Sequence, residues 1–172
     1  VKPVAGLAPE REPSMWPYYW HGVGRGIFFA PEHWLPFTDQ QAIMCLNREV
    51  DASMRGYARS GFAWACTLVN LKAPWVIDRL MVRRHGDLLA EQPEMIRGIV
   101  NAALMHCIQS EDTSWVEGLR RHSRDPRWQS LIAIPISRAV EQHYPVIRER
   151  GSLVESLTFP DLEQYVQHLA DH

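Results

Sequence analysis

The sequence predicts an all-α protein of stacked helical hairpins, mainly because a glycine–tryptophan pattern returns with a period near 40 residues. Three glycines, spaced by 39 and 37 residues, each begin a stretch of small and apolar residues: Gly22, Gly61 and Gly98. After each stretch a tryptophan begins a second amphipathic segment: Trp34, Trp75 and Trp115. Two amphipathic segments per period of this length are typical of α-solenoid-like proteins.

Helix boundary signals support this fold class, and no segment shows the alternation of a strand. Capping-box patterns occur at 38–41 and 114–117, and prolines stand where helices are expected to begin. Gly86 is predicted to end one helix and Pro135 to kink another. The predicted helices cover about 18–29, 38–50, 53–71, 74–85 and 160–170, with others beginning at Pro93, Ser114 and Pro126.

The chain of 172 residues is expected to form one helical-repeat domain over 18–172, preceded by an extended arm over 1–17. Four prolines space out the arm and oppose regular structure: Pro3, Pro9, Pro13 and Pro17.

The two ends of a helical array expose apolar faces that must be covered. The arm with Met15 and Trp16 and the helix around Leu162 are the segments available to cover them. If they do not suffice, two chains are expected to form a symmetric dimer that buries at least about 1,000 Å². Light scattering at micromolar concentration measures this; a monomeric mass with both ends covered would contradict it.

Composition excludes several classes of partner. The net charge of −2 gives no general attraction to nucleic acid. The longest uncharged apolar stretches have 12 residues, which is too short for a membrane span. Three cysteines lie in apolar helical patterns without a C-x-x-C pair, so reduced core thiols in a cytoplasmic protein are expected: Cys45, Cys66 and Cys107.

The small-residue segments have two interpretations. Glycine inside a helix costs about 1 kcal/mol relative to alanine, so its presence needs a compensating reason. Close approach of helix backbones is one reason, and it predicts that Gly61 and Gly98 lie at tight helix–helix contacts. Approach of a ligand, or of an anion at a helix N-terminus, is the other.

These segments also carry a resemblance to a known family. Residues 18–29, YYWHGVGRGIFF, resemble the Gly-x-Gly-Arg-x-aromatic segment of an uncharacterised bacterial family encoded beside enediyne polyketide synthase genes. Residues 60–66 are similar to its Ser-Gly-x-x-x-Ala-Cys stretch, and 96–103 match more loosely. Members are about twice as long, and the chain resembles their second half. The resemblance implies a polyketide-type pathway and no assigned chemistry.

The first helix carries the candidate catalytic pair. His21 and Arg25 are four residues apart, so they share one helix face, where they could act as base and oxyanion clamp. The alternative is a histidine that packs between helices and a solvated arginine. The candidate ligand-binding residues are Trp20, His21, Arg25, His33 and Trp34. His33 and Glu32 could join His21 at a metal, but no further ligand is evident and no metal or cofactor is predicted.

An arginine-rich run at 120–127 is the candidate anion patch. Its four arginines could bind a carboxylate or a phosphate, including acyl-carrier phosphopantetheine, or could form a solvated face: Arg120, Arg121, Arg124 and Arg127.

Two classes of function remain open. The first is a non-catalytic helical-repeat binding or accessory protein for a protein partner or an apolar small molecule. The second is a cofactor-independent enzyme or cyclisation factor that encloses an apolar polyketide beside His21 and Arg25. A deep apolar cavity at His21 would favour the enzyme, and a filled core with an exposed groove would favour the binding protein.

Overall fold

The computed structural model describes residues 16–30, 46–48 and 50–149. Every regular element in these residues is helical, which confirms the all-α prediction. Besides a helical turn at 46–48, the elements are α1 (Trp16–Phe29), α2 (Arg55–Asn70), α3 (Pro74–Ile77), a first π-helical segment (Asp78–Arg83), α4 (Arg84–Glu91), α5 (Pro93–Ser110), α6 (Trp115–His122), α7 (Pro126–Trp128), a second π-helical segment (Gln129–Ala133) and α8 (Ile134–Glu149).

Several predictions fall outside the described residues. They concern most of the arm, the capping box at 38–41, the residues His33, Trp34 and Cys45, and the helix at 160–170. The arm prediction is wrong at its last two residues, since α1 already begins at Trp16. Pro17 is tolerated there because the first turn of a helix needs no backbone donor.

The helix that begins at Pro74 is longer than predicted. Gly86 does not end it: the backbone passes through the first π-helical segment, bends at His85 (φ −131°) and continues to Glu91. Gly86 suggested a helix end, but here it follows a π turn and a bend, which interrupt the helix without ending it. Pro93 then begins α5, as predicted.

The N-terminus of α6 is not capped by the predicted capping box at 114–117. The side chain of Ser114 makes no cap hydrogen bond; instead the backbone N–H of Ser114 donates to Oδ1 of Asp112 at 2.8 Å. Asp125 does cap α7, because its Oδ1 accepts from the backbone N–H of Arg127 at 2.8 Å. Pro135 was predicted to kink a helix. The irregularity there is the second π-helical segment, which ends at Ala133, and the helix continues without a break as α8.

Glycines bring the long helices unusually close, as predicted for Gly61 and Gly98. A Cβ atom built on Gly61 would lie 2.8 Å from the carbonyl carbon of His21 in α1. One built on Gly98 would lie 2.9 Å from the carbonyl carbon of Ser60 in α2. Both distances are shorter than real Cβ contacts, so only glycine fits. Of the three glycines of α1, Gly22, Gly24 and Gly26, Gly24 makes such a contact, with the backbone of Ala58.

The directions of the helices do not confirm the simple repeat. His21 contacts Gly61 while Gly24 contacts Ala58, so α1 and α2 run in opposite directions. Between α2 and α5, by contrast, Gly56 lies near Glu94 and Ser60 near Gly98, so these two helices run in the same direction. Identical repeat units would stack with one common relation between neighbours.

The tryptophans of the predicted repeat also differ in environment. Trp75 is 60% exposed, whereas Trp115 is partly buried and its ring lies edge-on to His106, 5.5 Å between centroids. The indole Nε1 of Trp115 donates to the carbonyl of Asp112 at 3.0 Å. Trp34 lies outside the described residues.

The core lies where α2, α5 and α8 pack in sequence, with the π-helical segments and α6 on its flank. Cys66 and Cys107 are buried free thiols, as predicted. Burial raises the pKa of Cys107 to about 11. The apolar repeat of the third predicted helix also suggests a buried Val69, but this side chain is 53% exposed near the end of α2. No helix among the described residues is long and apolar enough to cross a bilayer.

Candidate functional site

A groove opens between the helix that begins at Pro74 and the end of α6. One wall comes from α3 and the first π-helical segment, and the other from the last residue of α6 and the loop after it. Its volume is about 390 Å³, within the range of about 300–1,000 Å³ typical of small-molecule sites. The residues that line this surface, the Asp78 groove, are Trp75, Asp78, Arg79, Arg83, His122 and Ser123.

The carboxylate of Asp78 is the least solvated charge of the groove. Its side chain is 6% exposed, and Oδ2 accepts a hydrogen bond from Nε of Arg83 at 3.0 Å. Nε2 of His122 lies 3.6 Å from the same oxygen. The other oxygen, Oδ1, is buried and has no hydrogen-bond partner among the described residues. A buried carboxylate oxygen without a donor is costly, and a bound ligand, water or ion is one explanation for such a group.

The π geometry makes the Asp78–Arg83 contact possible. Residues five apart point about 140° away from each other on an α-helix, which has 3.6 residues per turn. In a π-helix, residues i and i+5 lie one above the other, so Arg83 reaches back onto Asp78. The π-helical segment therefore places a cation directly over the buried carboxylate.

His122 is held in the groove wall by a tryptophan beneath it. Trp128 is fully buried, and its Nε1 donates to the carbonyl of Leu119 at 3.0 Å. The ring of His122 lies edge-on to that of Trp128, with 4.8 Å between centroids. The end of α6 is therefore anchored on α7, and the imidazole faces Asp78 from a fixed position.

The rim of the groove is cationic. Arg79 is exposed and makes no ion pair in the part of the chain that the structure describes. The Arg83 side chain is 68% exposed and uses only its Nε for Asp78. The two guanidinium groups and the one carboxylate of the groove leave an excess of one positive charge, in a chain whose total is −2.

The pair predicted on α1 lies away from the Asp78 groove, in the helix interface. His21 and Arg25 do share one face, since both contact Trp64: the two rings of His21 and Trp64 are 6.1 Å apart, and the guanidinium carbon of Arg25 lies 4.4 Å from the Trp64 ring centroid. His21 is 3% exposed, and burial and then the charge of Arg25 lower its pKa to about 4. This environment favours the helix-packing interpretation. Trp20 is partly buried against the core.

The predicted arginine patch is largely neutralised by carboxylates. Arg120 pairs with Glu141 and donates to Oγ of Ser137 at 2.7 Å. Arg121 bonds Glu117 at 2.7 Å, and Arg127 pairs with Asp87 at 3.1 Å. Arg124 is exposed and has no ion pair among the described residues. Three of the four predicted arginines are thus engaged by carboxylates of the chain, and none of the four lines the Asp78 groove.

Helical periodicity did not indicate the groove residues other than Trp75. One signal in the sequence was the charged residue Asp78 within an apolar segment. Asp78 stands in the apolar segment WVIDRLMV, with the buried residues Ile77, Met81 and Val82 beside it. A charged residue on the buried face of a helix needs a partner. Its partner could not be identified, because regular helix geometry places Arg83 on another face.

The fold and the groove together define an all-α protein with one buried carboxylate beside a cationic, solvent-facing cleft. The chain matches no protein-family model, no curated protein and no solved structure. Among the described residues, no three histidine, cysteine or acidic side chains are grouped as metal ligands.

Proposed function

We propose that this chain is a non-catalytic helical binding or accessory protein, and that its ligand lies in the Asp78 groove. The observation that carries the proposal is the buried Oδ1 of Asp78, which has no hydrogen-bond partner in the described part of the chain although Asp78 lines a cleft of ligand size. A bound donor would satisfy this oxygen and recover the free energy lost by its burial. Oδ1 has almost no solvent-exposed surface, so a ligand donor reaches it only after neighbouring side chains shift, while Arg83 keeps its bond to Oδ2.

The alternative is a cofactor-independent enzyme that encloses an apolar polyketide beside His21 and Arg25. Its proposed base is enclosed in the helix interface, and a pKa of about 4 leaves the imidazole a weak base near neutrality. The cleft seen at Asp78 is open to solvent rather than enclosed, and neither His21 nor Arg25 lines it. Both points favour binding over catalysis.

The wider context remains a proposal that rests on the resemblance of residues 18–29 and 60–66. It extends the function to polyketide-type natural-product biosynthesis in the cytoplasm, where the two buried free thiols would stay reduced. The ligand would then be an intermediate or product of that pathway. A homodimer or another protein partner is compatible with this function.

The proposal predicts that the groove binds small organic molecules. A panel of small aromatic acids, alcohols and amines, tested at millimolar concentration, should shift the indole N–H signal of Trp75 in nuclear magnetic resonance spectra. The signal is assigned by its loss in Trp75→Phe, a variant that retains an aromatic ring at this exposed position. Binding compounds should be recovered unchanged after incubation with the protein.

Asp78→Asn is the informative variant, because it keeps the shape of the side chain and removes its charge. The variant should bind the selected compounds about tenfold more weakly, as expected for a lost charge-assisted hydrogen bond. Arg124→Gln is the matched control, since Arg124 is exposed, has no ion pair in the described part of the chain and does not line the groove. If no compound moves the Trp75 signal, the groove is not the binding site.

A further inference from the structure

We propose that the Asp78 groove takes a small organic anion that also carries a hydroxyl group and an aromatic or other planar apolar face. This inference rests on the proposed function and assigns the chemical class of the ligand. Three features of the groove define the class: two rim arginines, a buried acceptor and an exposed indole.

The sign of the ligand charge follows from the rim. Arg79 has no counter-ion among the described residues, and Arg83 keeps its two terminal amino groups available after its bond to Asp78. Guanidinium groups bind carboxylates and phosphates through paired hydrogen bonds. A cationic ligand would meet two like charges, while its attraction to Asp78 would be reduced because Arg83 already neutralises that carboxylate.

The hydroxyl group follows from Asp78. Its Oδ1 is a buried acceptor without a donor, and an ionised carboxylate can only accept hydrogen bonds. A neutral hydroxyl group supplies the missing hydrogen without adding a charge that the rim arginines would repel. The ligand therefore presents its anionic end to Arg79 and Arg83 and its hydroxyl end to Asp78.

The planar face follows from Trp75. This indole is 60% exposed and lines the groove, unlike most tryptophans of a folded core. An exposed indole beside a charged cleft offers a flat apolar surface on which a ring can stack. The three contacts come from the same wall of the groove, so one small molecule can make them together.

A matched series of four probes tests the class by changing one group at a time. Para-hydroxyphenylacetate carries the anion, the hydroxyl and the ring; phenylacetate lacks the hydroxyl, para-hydroxyphenethyl alcohol lacks the anion, and tyramine replaces the anion by a cation. Titrations followed at the Trp75 indole signal should give para-hydroxyphenylacetate the highest affinity and tyramine the lowest. Each missing group should cost about threefold to tenfold in Kd, as for single exposed polar contacts.

Two variants assign the contacts. Arg79→Gln should reduce the preference for para-hydroxyphenylacetate over the alcohol, since Arg83 remains, and Asp78→Asn should reduce its preference over phenylacetate, since a neutral amide oxygen accepts a weaker hydrogen bond; Arg124→Gln should keep both. If Asp78→Asn does not fold, the affinities of the four probes for the wild type and for Arg79→Gln test the ligand class without it. Equal affinities for all four probes, or tightest binding of tyramine, would overturn the ligand class and leave the binding function standing. Failure of every probe to move Trp75, together with failure of the wider panel, would overturn both.

Discussion

Replacing Gly61 with leucine is expected to lower the free energy of unfolding by at least about 3 kcal/mol, enough to unfold much of a marginally stable domain. Even the first atom of the new side chain has no room, since a Cβ there would lie 2.8 Å from the carbonyl carbon of His21 and nearer still to its oxygen. The obstacle is backbone rather than a flexible side chain, so α1 and α2 would have to separate. Urea unfolding followed by circular dichroism measures the loss.

The same helices provide a matched set of controls. Gly61→Ala and Gly98→Ala should each destabilise, because both glycines face backbone carbonyls. Gly22→Ala should be neutral or should raise the free energy of unfolding by up to about 1 kcal/mol, since nothing lies within 4 Å of its Cβ position and alanine favours helix. If Gly61→Leu melted like the wild type, close backbone packing would not be the reason for glycine at this position.

Stability is also expected to fall steeply between pH 6.5 and pH 4, with His21 as the largest identified contributor. Burial and then Arg25 lower the pKa of His21 to about 4 in the folded protein, from 6.5 for an ordinary histidine. Between these values the unfolded chain binds a proton that the folded protein does not, so acid favours unfolding. The contribution is fully present above pH 6.5, and about 3 kcal/mol of it is lost by pH 4.

His21→Gln should flatten this dependence. The slope of the unfolding free energy with pH should decrease by up to about 1.4 kcal/mol per pH unit over the interval, because one titrating group has been removed. The slope that remains includes His143, whose pKa burial also lowers. Equal slopes for the two proteins, measured by urea unfolding at pH 7, 6, 5 and 4.5, would show that His21 accepts a proton in the folded state without penalty.

Local chemistry made much of the fold predictable. Pro74 and Pro93 begin helices because a first turn tolerates a missing donor, and Asp125 caps α7 because its carboxylate accepts a hydrogen bond from the backbone N–H of Arg127. Gly61 and Gly98 indicated tight contacts because glycine inside a helix needs such a reason. Each of these inferences depends on neighbours within a few residues or on one conspicuous residue type.

Relations between distant segments were less predictable. A spacing near 40 residues does not determine whether neighbouring helices are parallel or antiparallel. In the structure α1 and α2 are antiparallel, whereas α2 and α5 are parallel. The candidate site was missed for a similar reason. Regular helix geometry separates Asp78 from Arg83, and His122 comes from another helix whose approach only tertiary packing decides.

The π-helical segment at Asp78–Arg83 has a consequence for how this site can change in evolution. A π turn is equivalent to an α-helix into which one residue has been inserted, so deletion of a single residue restores regular helix. The helix would survive, but everything before the deletion would rotate by about 100° relative to α4. Trp75 and Asp78 would then leave the groove together. Related chains that keep the length of this segment should keep the site through many substitutions, whereas a change of one residue in length would remove it in a single step.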